Sequence, residues 1–295
     1  MNSLLIQLLP AAIFLLPLCV PLGINVRIRH QRKHRRNPLT FQMLRAPGET
    51  INKSIEQLSE DIDQHLTFSG VVPLLCFSTY LTTRFIAKTN ISPIFLIILA
   101  LCYMTFSGIQ LNKMLRQRHK EVLGLDCERA VGQELSQLML DGYRIFHDFQ
   151  ADKFNIDHIV IGENGVFAIE TKGRAKPDRG KGKEEARVTY DGQSLQFPSW
   201  SEQEPLEQAK RQAAWLSNWL SKAVGAPVAV KPVLALPGWY VERKKPDFII
   251  FNGKNPQFLL KFKAESPLSS EMIQRVAHQI DQRCRNVAPQ AYQKN

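Results

Sequence analysis

Three side chains in the stretch "NIDHIVIGENGVFAIETK", residues 155–172, carry chemistry that the aliphatic runs around them do not need: Asp157, Glu170 and Lys172. Two carboxylates with Cβ atoms about 5 Å apart repel each other unless a cation or a proton lies between them. Hard oxygen ligands of this kind select Mg²⁺ or Mn²⁺, and such an ion can hold a water and a phosphate oxygen together. A lysine beside the pair can orient or deprotonate the attacking water and steady the charge of a phosphorane. The rival reading is a solvated salt bridge of Lys172 with Asp157 or Glu170, because exposed cross-strand ion pairs are common and contribute little.

The segment reads as a β-hairpin around "GENG". A symmetric loop from Gly162 to Gly165 sets Asp157 opposite Glu170, whereas a two-residue Asn164-Gly165 turn sets it opposite Lys172. Side chains alternate with period two, so either register puts all three polar residues on one face. The other face then carries Ile156, Val160, Phe167 and Ile169.

The elements around the hairpin predict an α/β fold with a mixed sheet covered by helices. A helix is expected over 126–140, strands over 143–149, 156–161 and 166–171, and a basic loop over 173–187. A small hairpin in "VTYDGQSLQF" turns at Asp191-Gly192. A helix over 204–223, a strand over 228–236, a polar stretch with "FIIF" and a terminal helix over 269–285 complete the order.

In these residues the chain resembles the nuclease-related domain family, itself similar to restriction-endonuclease-like nucleases with an Asp…Glu-x-Lys signature. The likeness extends backwards to "GLDCERAVGQELSQLMLDGYRIFHDF" and forwards to "PLEQAKRQAAWLSNWL" and "VKPVLALPGWYVE", roughly residues 123–242. It implies a restriction-endonuclease-like sheet, a Mg²⁺- or Mn²⁺-dependent nuclease, and a catalytic core of Asp157, Glu170 and Lys172. It also implies a carboxylate on the preceding helix. Glu128 continues the apolar row of Val131, Leu135 and Leu138, while Glu134 points elsewhere, so Glu128 is the expected third metal ligand beside Asp157 and Glu170. The family usually has Gly just before this Glu, where this chain has Cys127. Gln208 matches a family Gln that would help position the site; an ordinary polar helix position is the alternative.

The loop "KGRAKPDRGKGKEEAR" leaves the hairpin directly, and its Arg174, Lys176, Arg179, Lys181 and Lys183 are candidates for tracking a phosphate backbone. A flexible solvated loop is the plainer reading. Trp215 and Trp219, at i, i+4 spacing, are expected to pack in the core rather than to stack bases.

Residues 1–112 differ in character. Apolar runs occur at about 3–22, 68–87 and 91–111; the first and third are uncharged and long enough to cross a bilayer as a helix, the second is shorter before Arg84, and an amphipathic helix is expected over about 50–66. Basic residues crowd "RIRHQRKHRR" and the segment after the third run, while the link between the second and third has only Arg84 and Lys88. The positive-inside rule then predicts a multi-pass protein of the cell inner membrane, with the amino terminus outside and the nuclease-related domain, residues 120–245, in the cytoplasm. Residues 246–295 form a carboxy-terminal extension. The net charge of +11 fits contact with anionic lipid and with nucleic acid, DNA foremost. Five cysteines without metal spacing argue against a zinc site or a disulfide framework, and His30 and His34 read as solvated juxtamembrane charge. Binding of nucleic acid without cleavage, or a membrane scaffold that binds protein, are the competing function classes.

Overall fold

The computed structural model of the chain describes residues 36–85, 92–178, 182–262 and 267–291, together with positions 21, 23, 24, 26 and 27. The first predicted span, apart from Pro21, Gly-free and uncharged to its end, therefore lies outside the described residues, as do His30, His34, Lys88, Arg179 and Lys181.

Two units divide the chain, residues 1–44 with 285–295, and residues 45–284. In the first, strand β1 (Met43–Leu44) pairs antiparallel with a strand close to the carboxy terminus, Arg285–Val287. The second unit holds everything described below.

It begins with two long helices, α1 (Glu49–Phe85) and α2 (Pro93–Ser136). The sequence predicts an amphipathic helix and a separate span where α1 is continuous, and a span and a separate domain helix where α2 is continuous. Nothing between the paired segments stops a helix. Pro73 and Gly124 are isolated, and a lone Pro or Gly in a long apolar or packed helix is tolerated when its neighbours satisfy the backbone. The two helices pack side by side, with Ser69 Oγ 2.5 Å from Ser107 Oγ and Arg118 Nε donating to Ser59 Oγ at 3.1 Å. Both are long and apolar enough to cross a membrane, and their apolar windows are 0 % and 6 % buried, so those stretches lie outside the described core. A short 3₁₀ turn, Gln137–Asp141, follows α2 and ends at Gly142.

Next come β2 (Arg144–Gln150), β3 (Asn155–Gly162) and β4 (Gly165–Thr171), an antiparallel meander. After the basic loop lie β5 (Arg187–Tyr190), β6 (Leu195–Gln196), β7 (Ser201–Glu202), α3 (Glu204–Val224), β8 (Val230–Ala235), β9 (Tyr240–Arg243), β10 (Ile249–Phe251) and α4 (Ser270–Cys284). The five-stranded sheet has the order β10-β8-β4-β3-β2, with β8 parallel to both β4 and β10. A second sheet, β7-β6-β5-β9, was not expected beyond its β5–β6 hairpin, which closes over Tyr190↔Leu195. Its other strands are two to four residues long, too short for periodicity to register.

The apolar surfaces explain the layers. On one face of the large sheet, Ile159, Ile161, Val166 and Ala168 pack against Leu216 and Leu220 of α3 and Val276 and Ile280 of α4. On the other, Val160, Phe167, Ile169 and Val233 pack against Val131 and Leu135 of α2. The family-like helix thus covers one face and the Gln-bearing helix the other. Ile156 departs from expectation: it packs with Ile159 and Ile161, not with Val160, Phe167 and Ile169. Strict alternation fails there because Asp148, across from this part of β3, has φ 49° and breaks the pleat of β2.

Candidate active site

The register of the hairpin is that of the symmetric loop, with Gly162↔Gly165, Ile161↔Val166 and His158↔Ile169. One step further along, the backbone ladder gives way to a side chain: Asp157 Oδ2 accepts the Thr171 N–H at 2.6 Å. Asp157 is thereby pinned to the end of β4, next to Glu170. Beyond β4 the chain stays extended, and Lys172 N–H donates to Ala235 O at 2.9 Å, which holds Lys172 beside the same spot.

Asp157, Glu170, Lys172, Glu128 and Gln208 all line one cleft of about 630 Å³, with Asn155, Lys120 and Ile51 on its walls. Glu128 enters from α2 and is only 5 % exposed, whereas Glu134 is half-buried, lies outside the cleft lining and takes a hydrogen bond from Gln137. Of the two helix carboxylates, Glu128 is therefore the one in the cleft. Gly173 explains how α2 comes so close to the end of β4: a Cβ there would stand 3.1 Å from Cys127 Sγ and 3.2 Å from Leu123 O. Cys127 is buried against that glycine.

Glu170 has a full set of partners. Lys172 Nζ lies 2.6 Å from its Oε1, Gln208 Nε2 donates to Oε1 at 2.8 Å, and Gln212 Nε2 donates to Oε2 at 2.6 Å. Lys172 Nζ also donates to Gln208 Oε1 at 2.8 Å. Glu128 is the opposite case, since its buried Oε2 has no hydrogen-bond partner.

The electrostatics follow from this crowding. Burial, then the negative charge of Asp148 and Glu170, pushes the Glu128 carboxyl up to about 8. Burial, then Glu170 and Glu128, holds Asp157 well above the usual carboxylate range. Glu170 is raised as well, by burial, with Lys172 opposing. Three carboxyl groups that resist ionisation together are a site short of positive charge.

Arg45, Asp148 and Gln212 belong to the site's support and were missed by sequence reasoning. Asp148 is fully buried and accepts from Arg45 Nε at 2.9 Å and Nη2 at 2.5 Å, from Thr50 N–H at 2.7 Å and from Asn155 Nδ2 at 2.8 Å. Asn155 O in turn accepts from Gln212 Nε2 at 3.1 Å. The first turn of α1 is thus linked through a buried polar network to Glu170. Only the Gln208–Gln212 spacing of i, i+4 on one helix face hinted at it.

The basic loop is partly tied down. Arg174 reaches Glu202 through Nε and Nη2, both at 2.9 Å, and Lys176 Nζ sits 6.0 Å from the centre of the Trp239 ring. Lys183 is exposed. Trp215 and Trp219 stack at 6.2 Å and pack on Phe149 at the edge of the core, both half-buried rather than enclosed in it.

A model of the nuclease-related domain family matches residues 123–237. No curated protein and no solved structure matches the chain. The matched segment contains Glu128, Asp157, Glu170, Lys172 and Gln208, the residues that meet in the cleft. Through residues 123–237 the chain is similar to the nuclease-related domain family.

Proposed function

We propose that the cleft hydrolyses phosphodiester bonds of nucleic acid, DNA foremost, with the help of Mg²⁺ or Mn²⁺, on a restriction-endonuclease-like sheet. The observation that carries this reading is the convergence of Glu128, Asp157, Glu170 and Lys172, from three separate elements, on one cleft.

The donor set suits the ion. Among the described residues no three His, Cys, Asp or Glu side chains are placed to hold a metal ion by themselves. Mg²⁺ does not need such a trio: it is commonly held by one or two carboxylates plus waters and substrate phosphate oxygens. Asp157 and Glu170 supply the pair, and the unpartnered Glu128 Oε2 is a buried acceptor with an unmet need. When bound, the ion would polarise the phosphate and acidify a water.

The rest falls to the chain. Gln208 and Gln212 fix the Glu170 carboxylate, and Thr171 N–H fixes Asp157. Lys172 brings its ammonium to the same edge, where it can attract a non-bridging phosphate oxygen and stabilise charge that grows as water attacks phosphorus.

One observation supports the second reading, nucleic-acid binding without cleavage: Lys172 Nζ is engaged at 2.6 Å by Glu170 and at 2.8 Å by Gln208. An amine so engaged serves as a fixed charge rather than as a base. The anchoring reading rests on the two unburied apolar helices and on the basic residues flanking them, and it sets the domain on the cytoplasmic side of the inner membrane.

Incubation of the detergent-solubilised full chain with plasmid and oligonucleotides, in Mg²⁺, Mn²⁺ or EDTA, tests the main reading. Cleavage is expected with metal only, and is lost in Asp157→Ala and Lys172→Ala. Cleavage that persists in both variants removes the assignment, and metal-independent binding without cleavage favours the second reading.

A further inference from the structure

Beside the carboxylate cleft, and sharing Gln208 with it, lies a second hollow of about 550 Å³. Its lining is mostly apolar carbon from Phe154 and Trp215, which meet edge to face with ring centres 5.5 Å apart. Both rings are half-buried: each packs on the core beneath and leaves surface in the hollow. Trp215 is held still by the near-parallel Trp219, 6.2 Å away at 5°, and by the Arg283 guanidinium 5.8 Å from its centre. A ring fixed in this way is a preformed stacking surface and loses little freedom when a flat ligand lands on it.

The hollow also carries cations. Lys153 and Arg211 line it, both exposed, and Arg211 pairs at the surface with the equally exposed Glu204 at 3.2 Å. Asp152, the acid in the lining, lies 3.1 Å from Arg283. Fixed aromatic faces bordered by mobile basic side chains suit single-stranded nucleotides, whose bases stack and whose phosphates seek charge. The volume falls in the range of about 300–1,000 Å³ usual for small-molecule pockets.

We propose that this hollow is a nucleobase subsite, in which the base of a nucleotide flanking the scissile phosphate stacks on Trp215 and Phe154 while its phosphate meets Lys153 or Arg211. The proposal rests on the reading of the adjacent cleft as a phosphodiester site. Because Gln208 lines both spaces, a strand passing through the cleft reaches the hollow without leaving the surface. The aromatic surfaces read no hydrogen-bond pattern, so the subsite requires a base and tolerates any sequence.

The test measures binding of the full chain in detergent, in EDTA, to a labelled thymidine dodecamer and to a dodecamer of abasic spacers with the same phosphates. The thymidine strand is expected to bind about tenfold more tightly, the worth of roughly one stacked base. That ratio should collapse toward one in Trp215→Leu and in Phe154→Leu, and return in Trp215→Tyr, which keeps a ring. Circular dichroism of each variant shows whether it is folded, and Phe154→Leu decides if Trp215→Leu is not. Equal affinity of the unmodified protein for both strands overturns the proposal, as does binding to neither, or a preference that survives both leucine variants. Base-dependent binding with no cleavage in Mg²⁺ would sink hydrolysis and leave the subsite standing; cleavage with no base preference would sink the subsite alone.

Discussion

Gln212 Nε2 stands 2.6 Å from Glu170 Oε2 and 3.1 Å from Asn155 O, so one buried amide ties a cleft carboxylate to the strand that carries Asp157. Replacement by leucine removes a donor that Glu170 cannot regain from solvent. Gln212→Leu should cost about 1–3 kcal/mol in chemical denaturation, the usual penalty for stripping a buried charged acceptor of a partner. It should also lower the rate of metal-dependent plasmid cleavage. Unchanged stability would mean that Glu170 is hydrated where the structure buries it.

Arg45 and Asp148 form a buried ion pair that reaches from the segment before α1 into β2. Breaking such a pair from one side typically costs about 3–5 kcal/mol. Arg45→Met should therefore be severely destabilised. Arg45→Met combined with Asp148→Asn should recover part of the loss, since Asn removes the charge and accepts the left-handed backbone at this position. A fragment starting at residue 120, which lacks Arg45 and Thr50, should melt lower than one starting at residue 45. Equal melting of the two fragments would show the network to be dispensable.

The two helix carboxylates should separate cleanly. Glu128→Gln keeps the shape but removes the charge in the cleft and should reduce cleavage at least tenfold if Glu128 helps to hold the ion. Glu134→Gln, away from the cleft, should leave the rate unchanged. The reverse outcome in a plasmid assay would reassign the third carboxylate.

The pH profile of stability should have two limbs. Glu128 is pushed up from 4.5 to about 8, so between those values the folded state keeps a proton that the unfolded chain has released, and stability falls as pH rises through the window. Asp157, also raised, acts in the same direction. His147 and His158 act oppositely: burial lowers His147 to about 4 and His158 well below 6.5, so stability falls as pH drops below about 6.5. Between about pH 4.5 and 6.5 the two sets oppose each other, so metal-free protein should lose stability most steeply from pH 6.5 to 8, and Glu128→Gln should shrink that loss. A melting curve independent of pH between 6.5 and 8 would contradict the burial of Glu128.

The hairpin, its polar trio and the helix carboxylate were legible because they follow from local rules. The hairpin brings Asp157 to the end of β4 that bears Glu170, although strict alternation fails at Ile156, and the apolar row of Val131 and Leu135 points Glu128 inward. What decided the register was the Gly162–Gly165 pairing, which the turn residues alone left open. Arg45, Asp148 and Gln212 were not legible, since their partners lie 103 residues away for Arg45–Asp148 and 42 for Gln212–Glu170. Ile156 was misplaced for the same reason: its face is set by the backbone of Asp148 on the neighbouring strand, not by its own neighbours in sequence. The continuity of α1 and α2 was hidden by a change of composition rather than of structure, because an apolar stretch and a charged stretch can share one helix.

That continuity has a mechanical side. The same 44-residue rod carries the apolar window at one end and Glu128 toward the other. At 1.5 Å per residue, the run from Leu111 to Glu128 is about 25 Å of unbroken helix. With the apolar end seated in a bilayer, that rod acts as a spacer of fixed length rather than a leash. Under the proposed reading the carboxylate cleft would stay at one height above the lipid, and a nucleic-acid strand would have to be brought down to it.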